Sequence, residues 1–379
     1  MKPIYLDYNA TTPVASEVAE AMIPFIREHF GNPSSSHVYG LRAAKAVREA
    51  RESVATLIGA REREIVFTGC ATEANNLAIL GVARAWTGPT RHLIVSAVEH
   101  PAVMAPAQHL HNEGWELSIV PVDEDGRTDP ASVAAALRPD TAIVSIMHAN
   151  NEVGTLQPIR EISAIAKAEG VIMHTDAAQS IGKVPVYVDD LGVDLLTIAG
   201  HKFYAPKGVG ALYVRSGTRI SNITYGPCQE HGLRPGTENV PAIVGLGTAA
   251  RLAHERTEPA SLHLKSMRDT LHDNLANWIP DLLLNGHPDE RLPNTLNLSF
   301  PGITGQALLE AASEDVVASV GSACHSGDDA VSGVLAAMGL TATRAACAVR
   351  LSVGQMTTEA EIDRAASALT EHWHVLAKR

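Results

Sequence analysis

Short apolar runs alternate with helical patterns between residues 64 and 217 of this 379-residue chain. The apolar runs occupy residues 65–67, 93–95, 117–120, 142–147, 171–173, 195–198 and 211–214. Helical patterns separate several of them, at about 73–85, 130–137 and 158–169. This alternation predicts an α/β fold, in which helices cover both faces of a mainly parallel sheet. Ligands of such sheets bind beyond the carboxyl ends of the strands, so polar residues that follow those ends are the first candidates for a site.

Charge and composition narrow the range of functions. Acidic residues exceed basic ones, 42 to 30, so the formal net charge is −12 and we expect no nucleic-acid partner. The chain has no apolar run of about eighteen residues and no signal-peptide pattern, so we expect a cytoplasmic protein without membrane contact. Four cysteines without a C-x-x-C pair, and seventeen histidines without a metal-binding spacing, predict neither a disulfide framework nor a metal site.

Lys202 and Asp176 each follow an apolar strand of the predicted sheet. A lysine at a strand end is in most proteins a solvated charge, but a desolvated one can form a Schiff base with a carbonyl group. An aspartate opposite it suits pyridoxal 5'-phosphate (PLP), because a buried carboxylate keeps the ring nitrogen protonated and the ring able to absorb electrons. The two residues together predict a PLP site with Lys202 as its catalytic lysine.

Three longer motifs carry a family resemblance: His-Thr-Asp-Ala-Ala-Gln at 174–179, His-Lys-Phe-Tyr-Ala-Pro-Lys-Gly at 201–208 and Arg-Pro-Gly-Thr-Glu-Asn at 234–239. With them the chain resembles the cysteine desulfurases, which are class-V-aminotransferase-like enzymes of PLP fold type I. The resemblance extends from residue 6 to residue 354. It implies a large domain built on a seven-stranded, mainly parallel sheet, together with a smaller α/β domain.

The C-terminal part of the chain supplies the smaller domain in this prediction. A long helical pattern at about 243–278 precedes a strand pattern at 294–300, a helix at about 304–313 and a terminal helix from about 358. We place the division near residue 255, which gives a large PLP-binding domain of residues 13–255. The small domain then consists of residues 1–12 and 256–379, and residues 1–12 are assigned to it on the resemblance alone.

A turn of small residues after the first strand of the sheet is the predicted phosphate site. The amides of Ala71 and Thr72, with the Thr72 hydroxyl, lie at the start of a helix, whose positive end attracts anions. The alternative is a plain helix cap at Thr72, and the family pattern favours the phosphate. The resemblance adds His201 as a second phosphate ligand. Cys70 stands where relatives prefer glycine, and Ala199 stands where many carry serine.

The resemblance assigns further site residues on three loops. By this assignment His100 stacks on the PLP ring and moves protons, which the near-neutral pKa of histidine suits. Gln179 donates to the phenolic oxygen of the ring. The alternatives are a structural histidine and a surface glutamine. Thr237 contacts the phosphate bound to a partner subunit, which implies a homodimer. Pro227 and Cys228 replace two glycines just before this loop.

Arg350 is the predicted clamp for a substrate carboxylate, because a guanidinium binds a carboxylate through two parallel hydrogen bonds. By resemblance, Asn151 assists it. An arginine within an apolar strand pattern also suits a structural ion pair, and the residues alone leave that alternative open.

Cys324 lies in a stretch rich in glycine, serine and aspartate, residues 318–330, which is the composition of a loop. A cysteine in such a place is usually just a small exposed residue. Yet Gly-Ser-Ala-Cys at 321–324 resembles the desulfurase nucleophile signature, and the small flanking residues let the loop reach the substrate and then an acceptor. Cys347, in a run of alanines, is expected in the core.

The predicted reaction converts L-cysteine to L-alanine, leaves a persulfide on Cys324 and passes the sulfur to an acceptor protein, for iron–sulfur clusters or thio-modification. Residues 291–295, 318–326 and 234–239 look especially like those of selenocysteine lyases, which release selenide from L-selenocysteine. The more distant alternatives are a transaminase or β-lyase that does not use Cys324, and a non-enzymatic scaffold with an inactive cofactor site.

Overall fold

The computed structural model describes residues 2–88, 91–321 and 332–378. Its strands are, in chain order, β1 (Ile4–Tyr5), β2 (Ile65–Thr68), β3 (His92–Ser96), β4 (Glu116–Val120), β5 (Thr141–Ser145), β6 (Ile172–Asp176), β7 (Leu195–Ala199), β8 (Gly210–Val214), β9 (Leu283–Leu284), β10 (Thr295–Ser299), β11 (Val316–Val317) and β12 (Ala348–Ser352). Its α-helices are α1 (Ser16–Arg27), α2 (Val38–Ile58), α3 (Ala71–Ala85), α4 (Pro101–Asn112), α5 (Pro130–Ala136), α6 (Ile159–Ala168), α7 (Val188–Leu191), α8 (Val240–Trp278), α9 (Gly305–Ala311), α10 (Gly333–Ala337), α11 (Ala342–Ala346) and α12 (Glu359–Ala377).

The largest sheet has seven strands in the order β2-β8-β7-β6-β5-β3-β4. The five strands from β7 to β4 are parallel to one another, and β8 runs antiparallel to both of its neighbours, β7 and β2. The predicted mainly parallel α/β sheet is therefore confirmed, with one reversed strand. The apolar runs of β2, β3, β5 and β7 are buried on both faces, which is the usual position of strands inside a parallel sheet, whereas the edge strand β4 is largely exposed.

Alternate side chains of each strand enter two different apolar cores. In β3, Ile94 packs into one core, whereas Leu93 and Val95 pack into the other. In β7, Leu196 lies in the first core and Leu195 in the second. This follows from the two-residue period of a strand. The first core is covered by α2, α6 and α8 and the second by α3 and α4, so both faces of the sheet are covered as predicted.

Strand β6 extends three residues beyond the apolar run that predicted it, to Asp176. It continues through polar residues because their side chains find partners inside the sheet. His174 contacts the hydroxyls of Ser145 and Thr197 at 2.7 and 3.1 Å. Its burial lowers the pKa of the imidazole to about 3, so the ring is neutral and its burial needs no counter-charge. Asp176 is thereby delivered to the carboxyl end of the sheet.

A second group of strands and helices packs around a separate apolar core. It holds the antiparallel sheet β12-β10-β9 and the parallel pair β1–β11. Helix α8 has 39 residues and contributes to both regions: Leu246 lies in the first core and Leu271 in that of the C-terminal region. The division proposed near residue 255 falls inside this helix. Within the described ranges, none of the helices combines the length and apolarity needed to cross a bilayer.

Candidate active site

A cavity of about 310 Å³ lies beyond the carboxyl ends of β2, β3, β5, β6 and β7. It brings together most of the residues that the sequence singles out, namely Ala71, Thr72, His100, Asn151, Asp176, Gln179, His201, Lys202 and Arg350. Thr237 is exposed and does not line this cavity. Cys324 lies outside the described residues. The cavity is the candidate active site.

Asp176 presents a buried carboxylate at one end of this cavity, with only 5% of the residue exposed. Its Oδ2 accepts a hydrogen bond of 2.7 Å from the Asn75 side chain, and its Oδ1 accepts one of 2.9 Å from the amide of Ala178. These contacts fix the orientation of the carboxylate. Sequence reasoning missed Asn75, although it lies on α3 one turn beyond Thr72, on the same segment as the predicted phosphate site.

The predicted phosphate site is the N-terminus of α3, which has 15 residues. Cys70 is the N-cap residue, and its side chain makes no capping hydrogen bond. The alternative of a plain cap at Thr72 is therefore wrong, since Thr72 is already inside the helix. The unpaired amides of a first helical turn, together with the helix dipole, suit a bound anion.

Glycine at position 210 lets the turn before α3 approach the sheet. A Cβ atom there would lie 2.7 Å from the Ile198 carbonyl oxygen, 2.9 Å from the Cys70 carbonyl carbon and 3.1 Å from the Ala71 nitrogen. These contacts are with backbone atoms, which cannot rotate away. A side chain at Gly210 would consequently displace the Cys70–Ala71 turn from the cavity.

Lys202 points its amine at the N-terminal loop. Its Nζ donates to the carbonyl oxygens of Asn9 and Ala10 at 2.6 and 2.8 Å. The loop is held in turn by a hydrogen bond of 2.9 Å from the Asn9 side chain to the Thr295 hydroxyl, and by one of 2.9 Å from the Asn9 amide to the Ser352 hydroxyl. The sequence of this N-terminal loop does not indicate that its carbonyl oxygens contact Lys202.

The two cavity histidines are neutral near pH 7. Burial lowers the pKa of His100, and the nearby Lys202 lowers it further, against an opposing effect of Asp176. Burial, assisted by Lys202, lowers the pKa of His201 to about 4. His100 caps α4, because its Nδ1 accepts a hydrogen bond of 3.1 Å from the Ala102 amide. Since Nδ1 is the acceptor, the neutral ring carries its proton on Nε2. His100 thus has a structural role and also lines the cavity.

Arg350 is buried in β12 and also lines the cavity. Its Nη2 donates to Asp7 Oδ1 at 2.7 Å, and its Nη1 donates to the Asn151 carbonyl oxygen at 3.1 Å. Its Nε has no hydrogen-bond partner among the described residues. The structural ion pair and the predicted clamp are therefore compatible, because a guanidinium has five N–H donors and these contacts use two.

Glu99, beside His100, was also missed by sequence reasoning. It is buried beyond the ends of β3 and β5, where its Oε1 accepts hydrogen bonds from the Ser96 hydroxyl at 2.6 Å and from the Met147 amide at 2.9 Å. Burial raises the pKa of this carboxyl group to about 8, so it is mostly protonated at neutral pH.

The cysteines differ in their exposure. Cys70 and Cys228 are exposed, and Cys347, expected in the core, is only partly buried.

Comparison with known proteins agrees with the geometry. A profile of the class-V aminotransferases matches residues 4–365. Cysteine desulfurase IscS of Dictyoglomus turgidum is 47% identical, over 96% of this chain and 92% of that protein. This chain belongs to the class-V aminotransferase family, among the cysteine desulfurases. A cysteine desulfurase of Trichormus azollae is also 47% identical, over 98% of this chain and 93% of that protein.

Two solved structures of the family share the fold over at least 94% of this chain. A NifS-like protein superposes with a TM-score of 0.92 at 37% identity and covers all of both chains. A structure described as SspA in complex with cysteine superposes with a TM-score of 0.83, also at 37% identity, over 94% of this chain and all of that one. The predicted fold-type I architecture is confirmed.

The cofactor of this family is PLP, and the cavity suits it at three points. The buried Asp176 carboxylate provides a counter-charge for a protonated ring nitrogen. The N-terminus of α3 suits the phosphate. Lys202 supplies the primary amine that PLP enzymes require. These residues would hold the cofactor.

Proposed function

We propose that this protein is a cysteine desulfurase that converts L-cysteine to L-alanine and carries the released sulfur as a persulfide on Cys324. The observation that carries the proposal is that one cavity contains Lys202, Asp176 and Arg350, in a chain whose relatives over nearly the full length are cysteine desulfurases. A scaffold with an inactive cofactor site would not need these three residues together.

The cavity residues divide the work between binding and proton transfer. PLP supplies the electron sink that stabilises negative charge at the substrate Cα. Arg350 and Asn151 hold the substrate carboxylate, which fixes the position of the Cα proton. Lys202 Nζ takes that proton, and Asp176 holds the positive charge at the ring nitrogen. His100, neutral and with its proton on Nε2, lines the same cavity and has this proton to donate.

Cys324 performs the sulfur transfer in this proposal. Its thiolate bonds to the substrate sulfur as the Cβ–S bond of the substrate breaks. The electron pair of that bond remains on carbon, which takes up a proton, so the products are alanine and a Cys324 persulfide. The atoms balance without an external oxidant or reductant, and a thiol or a sulfur-acceptor protein then removes the outer sulfur.

We propose that the active unit is a homodimer. An exposed apolar cluster lies on α1, α2 and the segment between them: Ile23, Ile26, Phe30, Val38, Tyr39 and Leu41. Phe30 stacks on Tyr39, with ring centroids 5.6 Å apart. Apolar patches of this kind mark interaction surfaces. In such a dimer the exposed Thr237 would contact the phosphate bound to the partner subunit, as the resemblance implies.

A cytoplasmic location belongs to the same proposal. Cys70 and Cys228 are exposed, free thiols. Such thiols stay reduced in the cytoplasm, whereas oxidising compartments favour disulfides.

The product assay tests the activity directly. We expect the PLP-loaded protein to release alanine from L-cysteine in the presence of a reducing thiol, with sulfide in equal amount. L-selenocysteine should react as well, because sulfur and selenium differ little in size. If the protein consumed L-selenocysteine but not L-cysteine, its activity would be that of a selenocysteine lyase and not that of a cysteine desulfurase. Formation of pyruvate or of a transamination product without alanine would reject both activities.

Replacement of Arg350 by lysine tests the carboxylate clamp. Lysine keeps the positive charge beside Asp7 but lacks the two parallel donors of a guanidinium. Loss of a charge-assisted hydrogen bond of about 1.5–3 kcal/mol predicts a KM for L-cysteine roughly 10- to 100-fold higher, measured in alanine-release kinetics. Arg344→Lys, away from the cavity, is the matched control. An unchanged KM in Arg350→Lys would show that Arg350 serves only its ion pair with Asp7.

A further inference from the structure

Lys183 is a buried lysine for which the reaction described above has no use. It lies between β6 and α7, only 5% exposed, and does not line the cavity. Its Nζ donates to the side-chain oxygen Oε1 of Gln179 at 2.9 Å. Within the described residues it makes no ion pair. Burial lowers its pKa well below the usual value, and Lys202 and Arg350, the charged groups that act on it, lower it further.

The contacts with Lys183 and with Asn9 together determine the orientation of the Gln179 amide. Oε1 accepts from Lys183, and Nε2 at the other end of the amide donates to the Asn9 carbonyl oxygen at 3.0 Å. A flipped amide would place its NH₂ group against the Lys183 donors and its oxygen against the Asn9 oxygen. The oxygen–oxygen contact with Asn9 would make no hydrogen bond, and a charged Lys183 would lose its acceptor as well, so the observed orientation is the one that satisfies both contacts. Gln179 lines the cavity, so its donor end is held there.

We propose that Lys183 is a positioning residue for the cofactor, which fixes the Gln179 amide so that its NH₂ group faces the phenolic oxygen of PLP. This inference rests on the proposed function, in which Gln179 donates to that oxygen. A lysine suits the role because its nitrogen donates in either protonation state. Its burial also keeps water from competing for Gln179 Oε1.

A hydrogen bond donated to the phenolic oxygen favours its anionic form. The visible absorption band of the bound cofactor should then titrate at a lower pH than it would without the bond. Removing Lys183 should raise the midpoint of this titration, because the Gln179 amide then loses one of the two hydrogen bonds that hold it. A positive charge on Lys183 would also lower this midpoint, by direct attraction of the anionic oxygen and without any part played by Gln179. The effect of the charge and the effect through Gln179 therefore have to be separated.

A double-mutant cycle on the PLP-loaded protein separates them. We expect Lys183→Met and Gln179→Ala each to raise the titration midpoint by roughly half to one pH unit. The double variant should match Gln179→Ala alone, because Lys183 has no further effect once its target is absent. Methionine fills a similar volume without the amine, so the variant should fold. Lys183→Leu provides a second apolar replacement, and a melting curve accompanies each variant.

The cycle can overturn the inference in three ways. An undiminished Lys183→Met shift in the Gln179→Ala background would show that Lys183 acts through its charge. If Lys183→Met changed the melting temperature but not the titration midpoint, Lys183 would contribute only to stability. An unmoved midpoint in Gln179→Ala would remove the contact on which the inference rests. Alanine release by the same samples is measured in parallel, so the proposed desulfurase activity is judged separately from the role of Lys183.

Discussion

Replacement of Lys202 by alanine is expected to abolish alanine formation from L-cysteine, with a loss on the order of 10⁴-fold or more. Lys202 is the cavity lysine whose amine is held next to the candidate cofactor site, by the carbonyl oxygens of Asn9 and Ala10. In the proposed reaction this nitrogen would hold PLP and, once the substrate amine had freed it, would take the Cα proton. No other described lysine lines this cavity, so no neighbour can replace it.

Absorption spectra and product assays together test this expectation. The Lys202→Ala protein, incubated with PLP and desalted, should lack the visible band of the covalently bound cofactor. Lys207→Ala is the matched control, because Lys207 is exposed on the same loop and should retain both the band and turnover. A Lys202→Ala protein that kept the band after desalting and released alanine at the wild-type rate would contradict the assignment.

The sheet and the edge at which ligands bind could be predicted from the sequence because both follow from local patterns. Apolar runs of strand length alternate with helical patterns, and parallel strands bring their carboxyl ends to one edge. Asp176, His100 and Lys202 were found in this way, because each follows such a run.

The partners of the site residues could not be predicted, because they come from distant parts of the chain. Asp7 and Arg350, which form an ion pair, are 343 residues apart in the sequence, and Asn9 and Lys202, which form a hydrogen bond, are 193 residues apart. No spacing rule links such pairs, since their meeting depends on how the N-terminal loop packs between the two sheets. Only the folded chain brings these residues together.

The sequence patterns did not predict the end of strand β6 or the start of helix α8, where polar residues form hydrogen bonds with one another or with the backbone. Strand β6 continues to Asp176 because Ser145 and Thr197 hold His174 within the sheet. Helix α8 begins at Val240 rather than near 243, because the Asn239 side chain caps it by accepting from the Ala242 amide at 3.4 Å. Apolar periodicity shows neither effect, since the residues concerned are polar or lie in the first helical turn.

Replacement of Cys324 by alanine is expected to stop the desulfurase reaction while leaving PLP bound. The described residues on either side of Cys324 are anchored near the substrate side of the cavity. Ser319 exchanges backbone hydrogen bonds of 2.7 and 3.3 Å with Arg350, and the Ser332 hydroxyl donates to Glu152 at 2.5 Å, next to Asn151. The described residues Ser319 and Ser332, which flank position 324, thus contact Arg350 and the sequence neighbour of Asn151.

The effect of this change should be large, because the variant lacks the atom that accepts the substrate sulfur. We expect alanine release from L-cysteine to fall by roughly 10³-fold or more, with the visible band of the cofactor unchanged. Cys347→Ala is the matched control. Cys347 is partly buried, and burial raises the pKa of its thiol, so it is a poor nucleophile near neutral pH.

The most direct measurement is alanine release from L-cysteine together with detection of the protein persulfide, for wild type, Cys324→Ala and Cys347→Ala. If the protein is a cysteine desulfurase that acts through Cys324, wild type and Cys347→Ala will release alanine and carry a persulfide, and Cys324→Ala will do neither. Alanine release by Cys324→Ala at the wild-type rate would contradict the account and indicate a PLP lyase that does not use this cysteine.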